Sequence, residues 1–480
     1  MRPGGLAELP RGRRGEGAVG QGTPGGPDGD GRGFGRSREA LRARSPAWPP
    51  RRSRRSGGGS EPPVPRRESR AALRARRGSG AGPAVGWTCS SRPGPSRVGA
   101  TLSFLAGRSV VVTGGASFIG SHLVEALVGR GSSVRVVDDF TSGRLENLAS
   151  VADSIEIVRG DLKDPGFAAG ACGGAEIVFH LAADHGGRGY VDLHQVSCAT
   201  NMALDQAVFQ ACLAGGVGKI VFASSGCVYP NLLQADPEEL LYLREEMVGP
   251  PFDPDGMYGL AKLAGELSLR ALCREHGVAS GSCRYFTVYG PRGVENHAVI
   301  AMIARAFVRE DPFVVWGTGE QVRNWTHVSD IVEGTLAVAE RIDDATAVNL
   351  GTMERVRVME AVHLILDHTG HRPCIETRPS KPTGPLNRVA DNTLARRLLG
   401  WEPQVAFADG ARQTSDWYAS VKDPAQVSAY LETMLTERPL VLARLDGVLD
   451  AGLGDNGSRR GSKPGAPPLG TVGPRAGAAC

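Results

Sequence analysis

Three side chains between positions 225 and 262 have the types needed to move a proton together with a hydride. Tyr258-Gly-Leu-Ala-Lys262 sets a phenol and an ammonium four residues apart, on one face of a helix. A phenol with a pKa near 10 is a poor base at neutral pH. A neighbouring ammonium and a cationic acceptor ring would both favour the phenolate and bring it into working range. Ser224-Ser225, closing a short apolar run, adds a hydroxyl able to orient an alcohol. Together the groups suit deprotonation of an alcohol while its carbon gives up hydride. Cys227 lies two residues further on, where a thiolate could exchange a proton beside a carbonyl.

Hydride chemistry needs an acceptor, and the start of the ordered region has the signs of a dinucleotide cradle. A β-branched run ends in Thr113-Gly114-Gly115-Ala116-Ser117-Phe118-Ile119-Gly120 and leads straight into helical spacing. Glycine lets the backbone approach a ligand, and the free N–H groups of the following helix suit a pyrophosphate. Asp138 ends the next strand, where a carboxylate can accept from the adenosine ribose. It would repel a 2′-phosphate, which favours NAD over NADP. Asp161-Leu162 closes the third strand, within reach of the adenine amino group. Leu181-Ala182-Ala183 closes the fourth with small residues against which a cofactor can lie.

The elements that must position these groups follow from periodicity. Short Val/Ile-rich runs at 109–113, 134–137, 155–159, 176–180 and 219–223 alternate with helical patterns at 119–130, 197–214 and 258–276. Buried strands separated by crossover helices predict an α/β fold with a doubly wound parallel sheet, and ligands at the strands' C-terminal edge. The expected division is a dinucleotide domain over 107–283 and a smaller substrate lobe over 284–420, able to return a strand to the sheet. A helical extension follows over 421–450.

Composition separates the ends from this middle. Residues 1–100 hold 21 Arg, no Lys, 22 Gly, 13 Pro and only 7 acidic residues, so their local charge is +14, against +4 for the whole chain. Such a segment cannot bury enough apolar surface to fold, so residues 1–106 are expected to be a disordered arm and 451–480 a disordered tail. An Arg cluster such as Arg51-Arg52-Ser53-Arg54-Arg55 is one conceivable contact for nucleic acid, but without aromatic interleaving it reads as solvated. Nine cysteines without a C-x-x-C pair, no secretory h-region and no membrane-length apolar run point to a reduced, cytoplasmic setting and no metal.

The series T-G-G-A-S-F-I-G, Asp138, G-D-L, H-L-A-A, S-S-G-C-V-Y, Y-G-L-A-K and R-Y-F-T-V-Y-G-P, spread over about 310 residues, resembles the extended short-chain dehydrogenase/reductase family. The resemblance implies a Rossmann domain with bound NAD, a C-terminal lobe holding a GDP- or UDP-linked sugar, and a homodimer formed through the helices at 197–214 and 258–276. Ser225, Tyr258 and Lys262 match the family's catalytic triad, and Asn201 matches a residue that supports the lysine. Arg323 and Arg388 match phosphate-binding positions, for which paired guanidinium donors are apt. Gly187 and Arg188 fall in a segment similar to a Gly-rich substrate loop. Two positions depart from the pattern: Thr287 replaces an Asn, and Ser117 replaces the middle Gly of the phosphate loop.

Position 227 directs the choice of reaction. The Asp-Glu pair of the dehydratases is absent, and a Cys followed by Tyr-Pro resembles the branch that epimerises GDP-sugars at C3 and C5. The resemblance thus implies transient C4 oxidation with proton exchange by Cys227. That branch's lysine-bearing insert is missing, leaving His297 or Glu295 as the opposing acid. The alternatives are a C4 epimerase of a UDP-sugar, another NAD-dependent sugar-nucleotide dehydratase or reductase, and a non-catalytic NAD-binding scaffold.

Overall fold

The computed structural model describes residues 104–437; the arm expected before them and the tail expected after them lie outside the described residues. Seven strands form one parallel sheet: β1 (Ser109–Thr113), β2 (Ser133–Asp138), β3 (Ile155–Arg159), β4 (Ile177–His180), β5 (Lys219–Ser225), β6 (Ala279–Tyr285) and β7 (Asp344–Leu350). Their order is β7-β6-β5-β4-β1-β2-β3, so the chain winds outward from β1 in one direction and then from β4 in the other. β1 and β4 are paired, with Thr113 opposite His180, and that reversal of direction opens a crevice at their C-terminal ends.

The central apolar runs form strands because both faces are covered, whereas the edge strand β3 is only partly buried. Val110 and Val112 of β1 face the cluster that includes Leu123, Val124 and Leu127 of helix α1 (Phe118–Gly129), while Val111 faces the opposite cluster with Val208 and Phe209. All three valines are at most 1% exposed. Each fully buried side chain of this size contributes about 1.5–3 kcal/mol.

Two further helices carry the chemistry, α2 (Asn201–Ala214) and α3 (Gly256–His276). The helical pattern at 197–214 is broken at Thr200: a short helix, Gln195–Ala199, precedes α2. This break is where Asn201 turns toward the loop after β4. After β6 the chain builds a lobe from short strand pairs, Phe313–Trp316 with Ile375–Arg378, and Val322–Arg323 with Asn387–Arg388 and Val356–Arg357. Helices α4 (Ala298–Phe307), α5 (Phe407–Val421) and α6 (Pro424–Met434) share an apolar core with these strands. β7 returns to the main sheet beside β6. Among the described residues, no helix is long and apolar enough to cross a membrane, and no group of His, Cys, Asp and Glu could hold a metal ion.

Candidate active site

The first half of the crevice is made mainly of backbone. Gly114 follows β1 with φ +69°, and a Cβ there would lie 2.9 Å from the Ala182 nitrogen. A Cβ on Gly120 would lie 2.1 Å from the Gly114 carbonyl oxygen, so the loop can pass under α1 only with glycine at both points. Helix α1 starts at Phe118 with no side chain capping it and no acid in its first turn, which leaves its N–H groups open for a pyrophosphate. Gly114, Ser117, Phe118, Ile119, Gly120, Leu181 and Ala183 line a cavity of about 360 Å³.

A second cavity of about 160 Å³ adjoins it, lined by Asp138, Asp161, Leu162, Ala182 and again Ala183. Asp138 is 5% exposed and accepts from the Ala116 and Phe140 N–H groups at 3.0 and 2.9 Å. The carboxylate is thereby fixed in place with lone pairs to spare for a ribose. Asp161 is exposed and also closes its own turn, accepting from the Lys163 N–H at 2.9 Å. These features together fit a dinucleotide.

The candidate catalytic groups sit where the larger cavity passes over the ends of β5 and α3. Ser225 Oγ accepts from the Cys227 N–H at 3.1 Å and lies close enough to Tyr258 to influence its phenol. Ser224, the other half of the serine pair, points away and donates to Glu266 at 2.5 Å. Glu266 in turn forms a bidentate ion pair with Arg284 at 2.9 and 2.8 Å, both side chains 1% exposed. Only Ser225 therefore serves the crevice.

Lys262 is buried, its Nζ 4.6 Å from the Phe222 ring centroid and 6.0 Å from that of Tyr258, without a hydrogen-bond partner in the protein. The sequence reading gives Tyr258 two helpers, Lys262 and a cationic ring, and the protein alone does not bring the phenol into working range. Burial, then the nearby Cys227, Cys198 and Asp205, push its pKa well above the ordinary value, and Ser225 offsets this only in part. Further charge favouring a phenolate would come from the cationic ring of a bound oxidised cofactor, beside the Lys262 ammonium.

Beyond Cys227 lies a cluster of buried charge. Arg388 donates to Cys227 Sγ at 3.2 Å, to Asp255 at 3.0 Å and to Gln234 at 2.8 Å. Arg188 pairs with Asp255 at 2.9 Å and with Asp192. Burial opposes ionisation of Asp255, but Arg388 and then Arg188 hold its carboxyl below the usual range. Arg323 donates only to the carbonyls of Val322 and Thr383, each at 2.8 Å. Burial, then the neighbouring Arg388, push its pKa down to about 9. Three guanidinium groups thus share this wall, and Arg323 has no carboxylate of its own. A diphosphate would satisfy such a group.

A family model described as the NAD dependent epimerase/dehydratase family matches residues 110–351. The chain belongs to that family. It is 31% identical to GDP-mannose 3,5-epimerase 1 of Oryza sativa subsp. japonica over 313 residues, covering 64% of this chain and 81% of that one. It is 30% identical to UDP-glucuronic acid decarboxylase 1 of Arabidopsis thaliana over 313 residues, 64% of this chain and 69% of that one. The solved UDP-glucose 4-epimerase of Thermus thermophilus in complex with NAD is similar with a TM-score of 0.58 and 27% identity, across 65% of this chain and 99% of that one. The cradle described above is accordingly that of an NAD-dependent enzyme of the epimerase/dehydratase family, and NAD when bound supplies the hydride acceptor.

Within this family frame, several residues stand differently from their sequence reading. Asn201 clamps the loop after β4, donating to the Asp184 carbonyl at 2.9 Å and accepting from its N–H at 2.6 Å, so any support for Lys262 is indirect. Glu295 is not available as an acid in the cavity: it is 6% exposed and accepts from Tyr418 at 2.9 Å and from Lys422 at 2.7 Å. It anchors the chain's C-terminal helices instead. His297 does line the cavity, with Thr287, Gly187 and His185, and burial pushes its pKa down to about 4.

Sequence reading missed Asp255 and the wall built by residues after 421. Asp255 sits at the N-cap of α3, three residues before Tyr258; an acid directly before a helix was its only local signal. Leu435 lines the cavity, Asn296 donates to the Glu437 carbonyl at 3.2 Å, and His194 lies 3.4 Å from the Glu437 carboxylate.

Proposed function

We propose that the chain epimerises a nucleoside-diphosphate sugar through transient oxidation at C4, with Cys227 and His297 exchanging protons at a carbon beside the keto group. The observation that carries this reading is Cys227, open to the cavity that holds Ser225 and Tyr258, with its sulfur 3.2 Å from the Arg388 guanidinium. Tyr258 as phenolate takes the C4 hydroxyl proton while Ser225 orients that hydroxyl, and bound NAD would supply the acceptor for the C4 hydride. The new carbonyl acidifies the neighbouring C–H. His297, kept neutral by burial, accepts that proton as the C–H bond breaks. The Cys227 S–H then delivers its own proton to the resulting enolate, and Arg388 stabilises the thiolate left behind. Return of hydride to C4 and of the Tyr258 proton to oxygen restores the sugar with no net redox change, and proton exchange with solvent, out from His297 and in to the Cys227 thiolate, resets the two groups.

The Arg188, Arg323 and Arg388 wall supports a diphosphate in the substrate, and the rice relative's name supports a GDP-linked sugar. In this reading residues 107–283 hold the cofactor and 284–420 the sugar nucleotide. Leu260 and Leu267 are exposed on α3 and support a homodimer through that face, to be measured by analytical ultracentrifugation.

Turnover of GDP- and UDP-hexoses in D₂O tests the chemistry. Deuterium at C3 or C5 of the product is expected. An inverted C4 without label would replace this reading with that of a C4 epimerase.

A further inference from the structure

Among the buried acids that the proposed steps do not use, one lies beside the active-site lysine. Asp205 on α2 is 1% exposed; its Oδ1 lies 3.0 Å from His180 Nε2, and its Oδ2 has no hydrogen-bond partner in the protein. The other ring nitrogen of His180 is 2.7 Å from Thr113 Oγ1. That hydroxyl already accepts from the N–H groups of Leu181 and Ala182, both at 3.1 Å. With its two lone pairs in use, Thr113 must donate its own hydrogen to His180 Nδ1. His180 is then the Nε2–H tautomer and donates to Asp205. The ring brings no positive charge of its own, and the carboxylate must find its counter-charge elsewhere.

The cation is on the neighbouring helix. Lys262 and Gly265 are three apart on α3 and share its inner face. A Cβ on Gly265 would sit 3.2 Å from Asp205 Oδ2 and 2.5 Å from the Phe222 ring, the ring over which Lys262 Nζ lies at 4.6 Å. Phe222 also packs on His180 at 5.8 Å. Asp205 Oδ2 and Lys262 Nζ therefore flank the same Phe222 ring region, and neither has a protein hydrogen-bond partner. Glycine at 265 lets α3 pass close against Phe222 and Asp205, where a Cβ would not fit.

We infer that Asp205 is a positioning residue that holds Lys262 as an ammonium from behind, with His180 and Thr113 tying it to the cofactor loop. It does not touch substrate; it acts through Lys262. Burial pulls the Lys262 pKa down, and Asp205 is the group that opposes this. Asp205 also helps raise the pKa of Tyr258, after burial, Cys227 and Cys198. The titratable groups around it are thus His180 from β4, and Lys262 and Tyr258 from α3. The inference rests on Tyr258 and Lys262 as the hydride-step pair, and is independent of the Cys227 chemistry.

The test is the pH profile of kcat/KM for Asp205→Asn, with bound NAD and thermal melting measured alongside. Removing the negative charge makes Lys262 lose its proton at lower pH, which moves the alkaline limb down. It also lets Tyr258 ionise at lower pH, which moves the acid limb down. Both limbs are expected to shift together by about one pH unit, while NAD content stays that of the wild type and Asp205→Glu moves them back. If Asp205→Asn does not fold, Asp205→Ser removes the same charge and leaves room for water. A profile that keeps its position while the rate alone drops makes Asp205 merely structural and overturns the inference. A wild-type profile without these limbs would instead sink the hydride-step reading.

Discussion

The two ends of the crevice recognise their ligands by different means. The dinucleotide end is mostly backbone: two glycines with no room for a side chain, an uncapped helix start, and one carboxylate pinned by two N–H groups. The sugar-nucleotide end is side chain: three arginines, one shared aspartate and a thiol, drawn from segments as far apart as positions 188, 255, 323 and 388. A backbone site demands a fixed spacing within one βα unit. A side-chain site can be assembled from any segments the fold brings together.

The sharpest test of this contrast falls where the two ends meet. Tyr258→Phe removes one hydroxyl and is expected to lower kcat by about 10³-fold with NAD content unchanged, as read by turnover and by release of nucleotide on denaturation. If activity survived, the scaffold reading would gain. Gly114→Val should come next. It places a branched side chain at φ +69° and against the Ala182 backbone, and about 100-fold weaker NAD binding is expected by titration, with the arginine wall untouched.

At the other end the effect should be smaller and of another kind. Arg388→Lys keeps the charge but loses the fork that spans Cys227, Asp255 and Gln234. KM for the nucleotide sugar is expected to rise about tenfold, while NAD affinity stays put. The smallest effect concerns pH. Burial depresses the His297 pKa from 6.5 to about 4, so the unfolded chain takes up a proton that the folded chain refuses. Stability is therefore full above pH 6.5 and falls as the pH drops toward 4. His297→Asn should flatten this dependence by about 1 kcal/mol, measured by denaturant melts across that window.

The same contrast explains what was legible in the sequence. The strand at 109–113 runs as its apolar period indicated, because burial on both faces leaves a continuous signature, and the edge strand at 155–159 forms although it is only partly covered. The glycine loop and Asp138 were legible for the same local reason. The residue types alone did not separate Ser224 from Ser225, which only the family resemblance did, since which one faces the crevice depends on Glu266 and Arg284, 42 and 60 positions further along. Glu295 lost its assigned role to Lys422 and Tyr418, partners more than 120 residues away that no spacing could reveal. Asp205 needed three elements in place before its isolation from any cation but Lys262 became visible.

One asparagine shows what such long-range assembly implies for folding. Asn296 accepts from the Gly187 N–H, 109 residues earlier, and donates to the Glu437 carbonyl, 141 residues later. Local helices form on the microsecond scale, whereas contacts this far apart must wait for large loops to close. After dilution from denaturant, far-UV ellipticity should therefore return before the capacity to bind a sugar nucleotide, with NAD uptake, whose cradle is nearly contiguous, in between.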